Sequence, residues 1–256
     1  MSSDTSLAWR VEETELNAWP ALKEIYLDGW VLRFGAGASG GGVSRRANSA
    51  NPLSLDARGS DELIAACESH YDRHKLPTLF RIVSLLNRAF DDQLAARGYT
   101  AEGGTVTLFG DIAAVPAATD PRVMLLSRPT ARWCAAMAAL QGHNATVARI
   151  YRRIVGRIAL PARFAILVED GLPAALAYGV LQHGLLCYES VVTDRERRRR
   201  GYSRRVLAAL AAWAKAEGAT GACLQVQADN APALPLYHSI GLTQELYRYH
   251  YRRQPG

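Results

Sequence analysis

Apolar residues at Trp30, Leu32 and Phe34, with Arg33 between, repeat at every second position, the period of a half-buried strand. The segment ahead of Asp28-Gly29 has a weaker pattern and reads as a loop or short helix. A glycine-rich stretch, residues 35–42, then turns the chain into a second strand ending near Arg45-Arg46. Ser60 precedes Asp61 and Glu62, and Leu63, Cys67 and Tyr71 follow at helical spacing, so a capped helix closes near Leu76-Pro77. Residues 78–86 read as a strand, 89–97 as a helix stopped by Gly98, and 105–109 as a strand. Residues 113–121 hold two prolines and four alanines without a period and are the candidate linker.

In the second half, helices are predicted over residues 130–140 and 145–156. Three strands follow, 164–168, 174–181 and 185–193, turning at Asp170-Gly171 and His183-Gly184. A helix carrying Val206, Leu210 and Trp213 on one face ends at Gly218. A strand over 222–228, a helix over 232–240 and a tyrosine-rich strand over 247–252 complete the order. The mixture predicts an α/β (α+β) fold, a mixed central β-sheet flanked by helices. An offset of 143 residues superimposes Asn87 to Gly98 on Asn230 to Gly241, each window reading strand, Asn, helix, Gly, strand. The fold is therefore expected to be duplicated, with halves at 1–120 and 121–256. The first half has Leu94 where the second has Tyr237, and it lacks the arginine-glycine cluster described next.

Charge singles out one segment. The 256 residues carry a net charge of +6, and seven arginines against one glutamate between Arg195 and Arg205 account for all of it. So local a surplus points to one anionic partner rather than a broad nucleic-acid face. With 49% hydrophobic and 21% charged residues the chain is an ordinary globular one. Its longest apolar run, Val206 to Ala214, is too short for a membrane span of about 20 residues. The acidic N-terminus (Asp4, Glu12, Glu13, Glu15) does not read as a signal peptide, and a cytoplasmic location is expected. Cys67, Cys134, Cys187 and Cys223 form no CxxC, and His70 and His74 lack an HExxH or a third ligand, so no metal site is expected.

The cluster links a strand directly to a helix, whose first turn has four backbone N–H groups without internal partners and the positive end of the helix dipole. Gly201 permits positive φ, Ser203 is small and can donate, and the arginines add permanent charge, so the segment suits phosphate or pyrophosphate. Arg198-x-x-Gly201-x-Ser203 resembles the Arg/Gln-x-x-Gly-x-Gly/Ala signature of the GNAT acyl-CoA N-acyltransferases. Asn230 followed by Leu236-Tyr237-His238-Ser239-Ile240-Gly241-Leu242 resembles that family's Asn…Leu-Tyr-x-x-x-Gly-Phe ending. Ser203 for Gly/Ala and Leu242 for Phe are departures; the likeness covers about 126–252, with the first half a degenerate echo of tandem members.

The resemblance implies acetyl transfer from acetyl-CoA, as cosubstrate, to a small-molecule or peptide amine by direct attack in a ternary complex. Val191, Val192 and Thr193 would pair with pantetheine on a strand that splays from its neighbour. Arg198 and the amides of Arg199, Arg200, Gly201, Tyr202, Ser203 and Arg204 would cradle the pyrophosphate. Asn230 would touch the pantetheine arm, and Tyr237 would protonate the leaving thiolate. Glu189, two residues before Val191 and so expected on its strand face, is the candidate base; water is the other candidate. The plainer readings are helix N-capping for Asn230 and core packing for Tyr237, as for Tyr247, Tyr249 and Tyr251, which could also line a substrate groove. A non-catalytic acyl-CoA sensor and a nucleic-acid-binding protein are the alternative functions.

Overall fold

The computed structural model describes residues 3–35 and 44–256. Among these, the chain first forms β1 (Lys23–Leu27), β2 (Trp30–Phe34), β3 (Ala50–Pro52), β4 (Leu79–Val83), β5 (Thr100–Asp111) and β6 (Val123–Leu126), with β2, β3 and β4 buried at every position. The second half adds β7 (Ala162–Glu169), β8 (Leu172–Gln182), β9 (Leu185–Thr193), β10 (Gly221–Gln227) and β11 (Gln244–Arg253). All join one sheet in the order β1-β2-β3-β4-β11-β5-β10-β9-β8-β7-β6. The helices are α1 (Ser3–Ala18), α2 (Asp61–Arg73), α3 (Ala89–Ala96), α4 (Ala131–Gln141), α5 (Ala145–Val155), α6 (Tyr202–Ala216) and α7 (Leu234–Ser239). No helix among the described residues is long and apolar enough to cross a membrane.

The order β3-α2-β4-α3-β5 repeats as β9-α6-β10-α7-β11, with β3 parallel to β4 and β9 parallel to β10. The last strand of each repeat crosses to the other half. β5 pairs with β10 from Gly221↔Asp111 to Gln227↔Thr105, while β11 pairs with β4 from Tyr249↔Val83 to Arg253↔Leu79. β5 and β11 also pair with each other, so the exchange fuses both halves into one sheet. Residues 113–121 carry no helix or strand, as expected, yet are laced to α6: Ala118 N–H donates to Ala208 O (3.2 Å) and Lys215 Nζ to Val115 O (2.9 Å). The glycine turn falls, beyond Gly35, outside the described residues; the strand expected to end at Arg45-Arg46 is replaced there by a turn, and β3 begins at Ala50.

The largest departure is α1, sixteen residues long where a loop or short helix was expected. Its buried positions, Ala8, Val11, Glu12, Thr14, Glu15 and Ala18, follow a helical stripe, but three are polar, two of them glutamates, which breaks the apolar period. α1 packs with α4 and α5 on one face of the sheet, while α2 and α3 cover the other face over the first half and α6 and α7 over the second. At its end, the Arg33 guanidinium donates to Leu16 O (3.0 Å) and Trp19 O (2.7 Å), satisfying carbonyls the helix leaves open. Midway, Glu12 is clamped in a two-pronged ion pair with Arg81 of β4 and accepts from the Tyr247 hydroxyl (2.6 Å). The Arg81 guanidinium lies 3.7 Å from the centroid of the Tyr249 ring.

Both charges of the Glu12–Arg81 pair are buried, so removing one leaves the other without compensation. Glu12→Ala is expected to lower the unfolding free energy in urea by about 3–5 kcal/mol. Glu12→Leu combined with Arg81→Met should lose less than the two single changes summed; additivity would contradict the coupling.

Candidate active site

Strands β9 and β10 pair only at Gly221↔Leu185, Ala222↔Leu186 and Cys223↔Cys187, and diverge beyond. The ladder between β8 and β9 is interrupted at the same level, where the register shifts between Leu176↔Val192 and Tyr178↔Glu189. Ser190 sits in this bulge with φ +52°, and the extra residue re-aims the side chains after it. Cys187 and Val192 face the α1 side, whereas Tyr188 and Val191 face the α6 side. Glu189 therefore does not share a face with Val191, contrary to the simple alternation: it points to the α1 side, where it meets Arg46.

After Thr193 the chain makes a short 3-10 turn, Arg195–Arg197, capped by the Asp194 carboxylate accepting from Glu196 N–H (3.1 Å). Arg199 (φ +60°) and Gly201 (φ +76°) then take left-handed backbone conformations, which curl successive amides toward the start of α6. Gly201 is the N-cap of α6 and brings no side-chain acceptor; the first turn holds no acidic residue. The hydroxyls of Thr193 and Ser203 are hydrogen-bonded, tying the strand end to that turn. The seven arginines divide by role. Arg197 is bound to Glu169 O and paired with Asp170 and Asp194, Arg205 is paired with Asp120, and Arg204 donates to Ser239 Oγ (2.6 Å). Arg195, Arg198, Arg199 and Arg200 are exposed, with no ion pair or hydrogen-bond partner among the described residues. A cavity of about 230 Å³ adjoins this turn, lined by Val115, Pro116, Ala118, Arg204, Ala208 and Ile240 among others.

The equivalent junction in the first half is closed. Ser60 Oγ accepts from Leu63 N–H (3.1 Å), and Asp61 and Glu62 occupy the first turn of α2. Bonding to its own amide, and next to Ser60, holds the Glu62 carboxyl below its ordinary range. The Phe90 ring packs against Gly59, where a Cβ would come within 1.7 Å of it; the matching position in the second half is Ala233.

Tyr237 is buried on α7 beside the splay, its phenol pushed up to about 12 by burial and next by the charge of Glu189. It therefore keeps its proton at neutral pH. Asn230 does not cap α7, which starts at Leu234 without a side-chain cap; its backbone carbonyl closes a turn onto Ala233 N–H (3.0 Å), and its side chain is exposed.

Sequence reading missed the groups on the α1 side. Arg46, from the segment before β3, grips Glu189 with two bonds of 2.6 and 2.8 Å and reaches Gln225 Oε1 of β10 at 3.5 Å, so one guanidinium spans the diverging strands. It also lies 4.8 Å from the Trp19 ring centroid and 3.6 Å from Glu15 Oε2. Neither oxygen of Glu15 has a hydrogen-bond partner among the described residues. Burial, and next the charge of Glu189, push the Glu15 carboxyl up to about 8, with Arg46 opposing. The Cys187 and Cys223 thiols come within 4.8 Å of the Glu15 carboxylate. A divalent cation there would stand against the Arg46 guanidinium, and burial pushes the Cys187 thiol well up, so the cluster reads as a protonated interior rather than a metal centre. The four cysteines are free and buried.

Parallel strands that part behind an open helix N-terminus define a GNAT-type acyltransferase. Residues 5–252 match the family described as "Probable histone acetyltransferase Rv0428c C-terminal", and the chain belongs to that family. It is 25% identical over 247 residues to the "Uncharacterized N-acetyltransferase YobR" of Bacillus subtilis (strain 168), covering 95% of this chain and 97% of that protein. A GCN5-related N-acetyltransferase from Kribbella flavida has the same fold at 15% identity, with a TM-score of 0.70 over 100% of this chain and 97% of the other. A tandem GNAT protein from the clavulanic acid biosynthesis pathway, at 16% identity, gives 0.61 over 81% and 76%.

A carboxyl raised by folding stays protonated where the unfolded chain has already ionised, so Glu15 costs stability as pH climbs from its unfolded value to about 8. Glu15→Gln, neutral throughout, is expected to match the wild type in acid and to be progressively more stable than it up to about pH 8, with a constant difference above. Urea midpoints across pH measure this, and parallel curves would contradict it.

Proposed function

We propose that this acetyltransferase moves the acetyl group of acetyl-CoA to a primary amine by direct attack, without a covalent enzyme intermediate. The observation that carries the reading is the coincidence of two features: β9 and β10 cease pairing after Cys187↔Cys223, and the N-terminus of α6 at Gly201 is left uncapped. In this reading the freed edge at Val191, Val192 and Thr193 pairs with pantetheine, since backbone groups without a neighbouring strand need a partner. The amides from Arg199 to Arg204 hold the pyrophosphate, with Arg198, Arg199 and Arg200 supplying charge that has no internal partner. Asn230, exposed at the mouth, bonds the pantetheine arm. The cavity between Val115 and Ile240 has the lining for the adenine ring.

The amine must be neutral to attack, although a free lysine-type ammonium has a pKa near 10. Glu189, at the floor of the splay, takes that proton directly or through water. The tetrahedral oxyanion falls within reach of backbone N–H groups freed at the bulge. Tyr237, holding its proton with a pKa of about 12, gives it to the departing sulfur. The acceptor is a small-molecule or peptide primary amine. Histones are named in the family's description, and their lysine side chains belong to that class. The reaction is placed in the cytoplasm and needs neither metal nor nucleic acid.

Tyr237→Phe is expected to lower kcat by about 10²-fold or more while the Kd for acetyl-CoA stays unchanged. Free-thiol release with a panel of polyamines, amino acids and lysine peptides, alongside calorimetry, measures both. A wild-type protein that binds acetyl-CoA yet releases no thiol with any amine would instead make the chain an acyl-CoA sensor. Binding of duplex DNA with a steep salt dependence would favour a nucleic-acid partner.

A further inference from the structure

Glu15 is a buried carboxyl that neither the motifs nor the acyl-transfer scheme uses. It shares Arg46 with Glu189: the same Arg46 Nη1 is 2.6 Å from Glu189 Oε1 and 3.6 Å from Glu15 Oε2. Two carboxyl groups thus share one guanidinium at the level where β9 and β10 part, one from the strand and one from α1. We propose that Glu15 and Glu189 act as a carboxyl pair, held together by Arg46, that receives the proton of the incoming ammonium, Glu189 meeting the amine and Glu15 acting behind it as a positioning residue. This rests on the acetyl-transfer reading above and makes the first half of the chain part of the site.

The chemistry favours a pair over a single carboxylate. A lone glutamate, with a reference pKa near 4.3, is about six units too acidic to take a proton efficiently from an ammonium near 10. Two carboxylates sharing one guanidinium nitrogen repel each other and cannot both ionise freely, so the pair holds its last proton to higher pH. Burial and the charge of Glu189 place that proton at about 8 on Glu15, which narrows the gap to the amine. The groups facing Glu15 leave this balance intact. Cys187 of β9 and Cys223 of β10 have thiols raised above their ordinary range; Tyr247 of β11 is likewise raised by burial, so all three stay neutral. On α1 itself, Glu12 is committed to Arg81. The charges near Glu15 are then Arg46 and Glu189.

The proton count closes. One ammonium N–H bond breaks, its electron pair remains on nitrogen, and the proton joins a carboxylate oxygen of the doubly ionised pair. Nitrogen bonds the thioester carbonyl carbon and the C–S bond breaks, its electrons going to sulfur. Sulfur takes the Tyr237 proton, and the second proton shed by nitrogen restores Tyr237. The pair returns its proton to solvent, so each turnover converts ammonium and thioester into amide, thiol and one released proton.

The test compares the wild type with Glu15→Gln and Glu15→Asp, using acetyl-CoA and a polyamine, amino acid or lysine peptide that releases thiol. The wild-type kcat/KM for the amine is expected to rise with pH to a plateau above about 8. Glu15→Gln should lose that limb and about 10²-fold of its rate at the plateau with an unchanged KM for acetyl-CoA, and Glu15→Asp should restore part of both. A glutamine variant that keeps the limb overturns the proposal. Independently of turnover and of folding of the variants, infrared difference spectra of the wild type should reveal a protonated carboxyl that ionises near pH 8; its absence also overturns the proposal. Failure of the wild type to bind acetyl-CoA would instead count against acetyl transfer itself, while the infrared titration still decides the carboxyl pair.

Discussion

Strands β9 and β10 are bonded at one end and held apart at the other, and the separation is enforced from both faces of the sheet. On one face, the bulge at Ser190 shifts the β8–β9 register and turns Val191 toward α6. On the other, the Arg46 guanidinium is wedged between Glu189 of β9 and Gln225 of β10. A sheet that could zip closed would satisfy its own backbone groups; this one cannot, and leaves a strand edge for a ligand to pair with. Everything proposed for the thioester follows from that opening, because it lies between the uncapped start of α6 and the buried phenol of Tyr237.

The two halves repeat one order of elements but differ where strand meets helix. Both carry a strand, a helix and a parallel strand, but α2 begins with a capping serine and two acids while α6 begins with glycine and arginines. Phe90 packs onto Gly59 at the junction where the second half has Ala233, and Leu94 stands where Tyr237 does. The first half lends β5 to the second half's sheet, contributes α1, and supplies Arg46 to Glu189. The buried Glu12–Arg81 pair locks that arrangement, joining α1 to β4 across the exchanged strand β11.

The left-handed turn that opens α6 was legible because its determinants are local: Gly201, Ser203 and the arginines occupy one continuous stretch, and turn chemistry depends on neighbours in sequence. The repeat was legible for the same reason, through Asn87 and Asn230 and their following glycines. The α1 side was not. In sequence Glu12 and Glu15 belong only to an acidic N-terminus; Arg81 and Arg46 come to them from 69 and 31 residues away, and the Arg46–Glu189 contact spans 143 positions. The exchange of β5 and β11 leaves no mark on alternation, since either strand satisfies the same pattern in either half. The bulge at Ser190 puts Val191 on the face opposite Glu189, because one inserted residue moves every later side chain across the sheet.

The central claim is that main-chain donors at the start of α6, and not those of α2, receive the diphosphate of acetyl-CoA. Amide NMR of the labelled protein during titration with acetyl-CoA tests it residue by residue. The largest shifts are expected at the amides of Arg199 to Arg204 and along Val191 to Thr193, with Asp61 to Leu63 unmoved. Shifts confined to the start of α2, or none at saturating ligand, would contradict it.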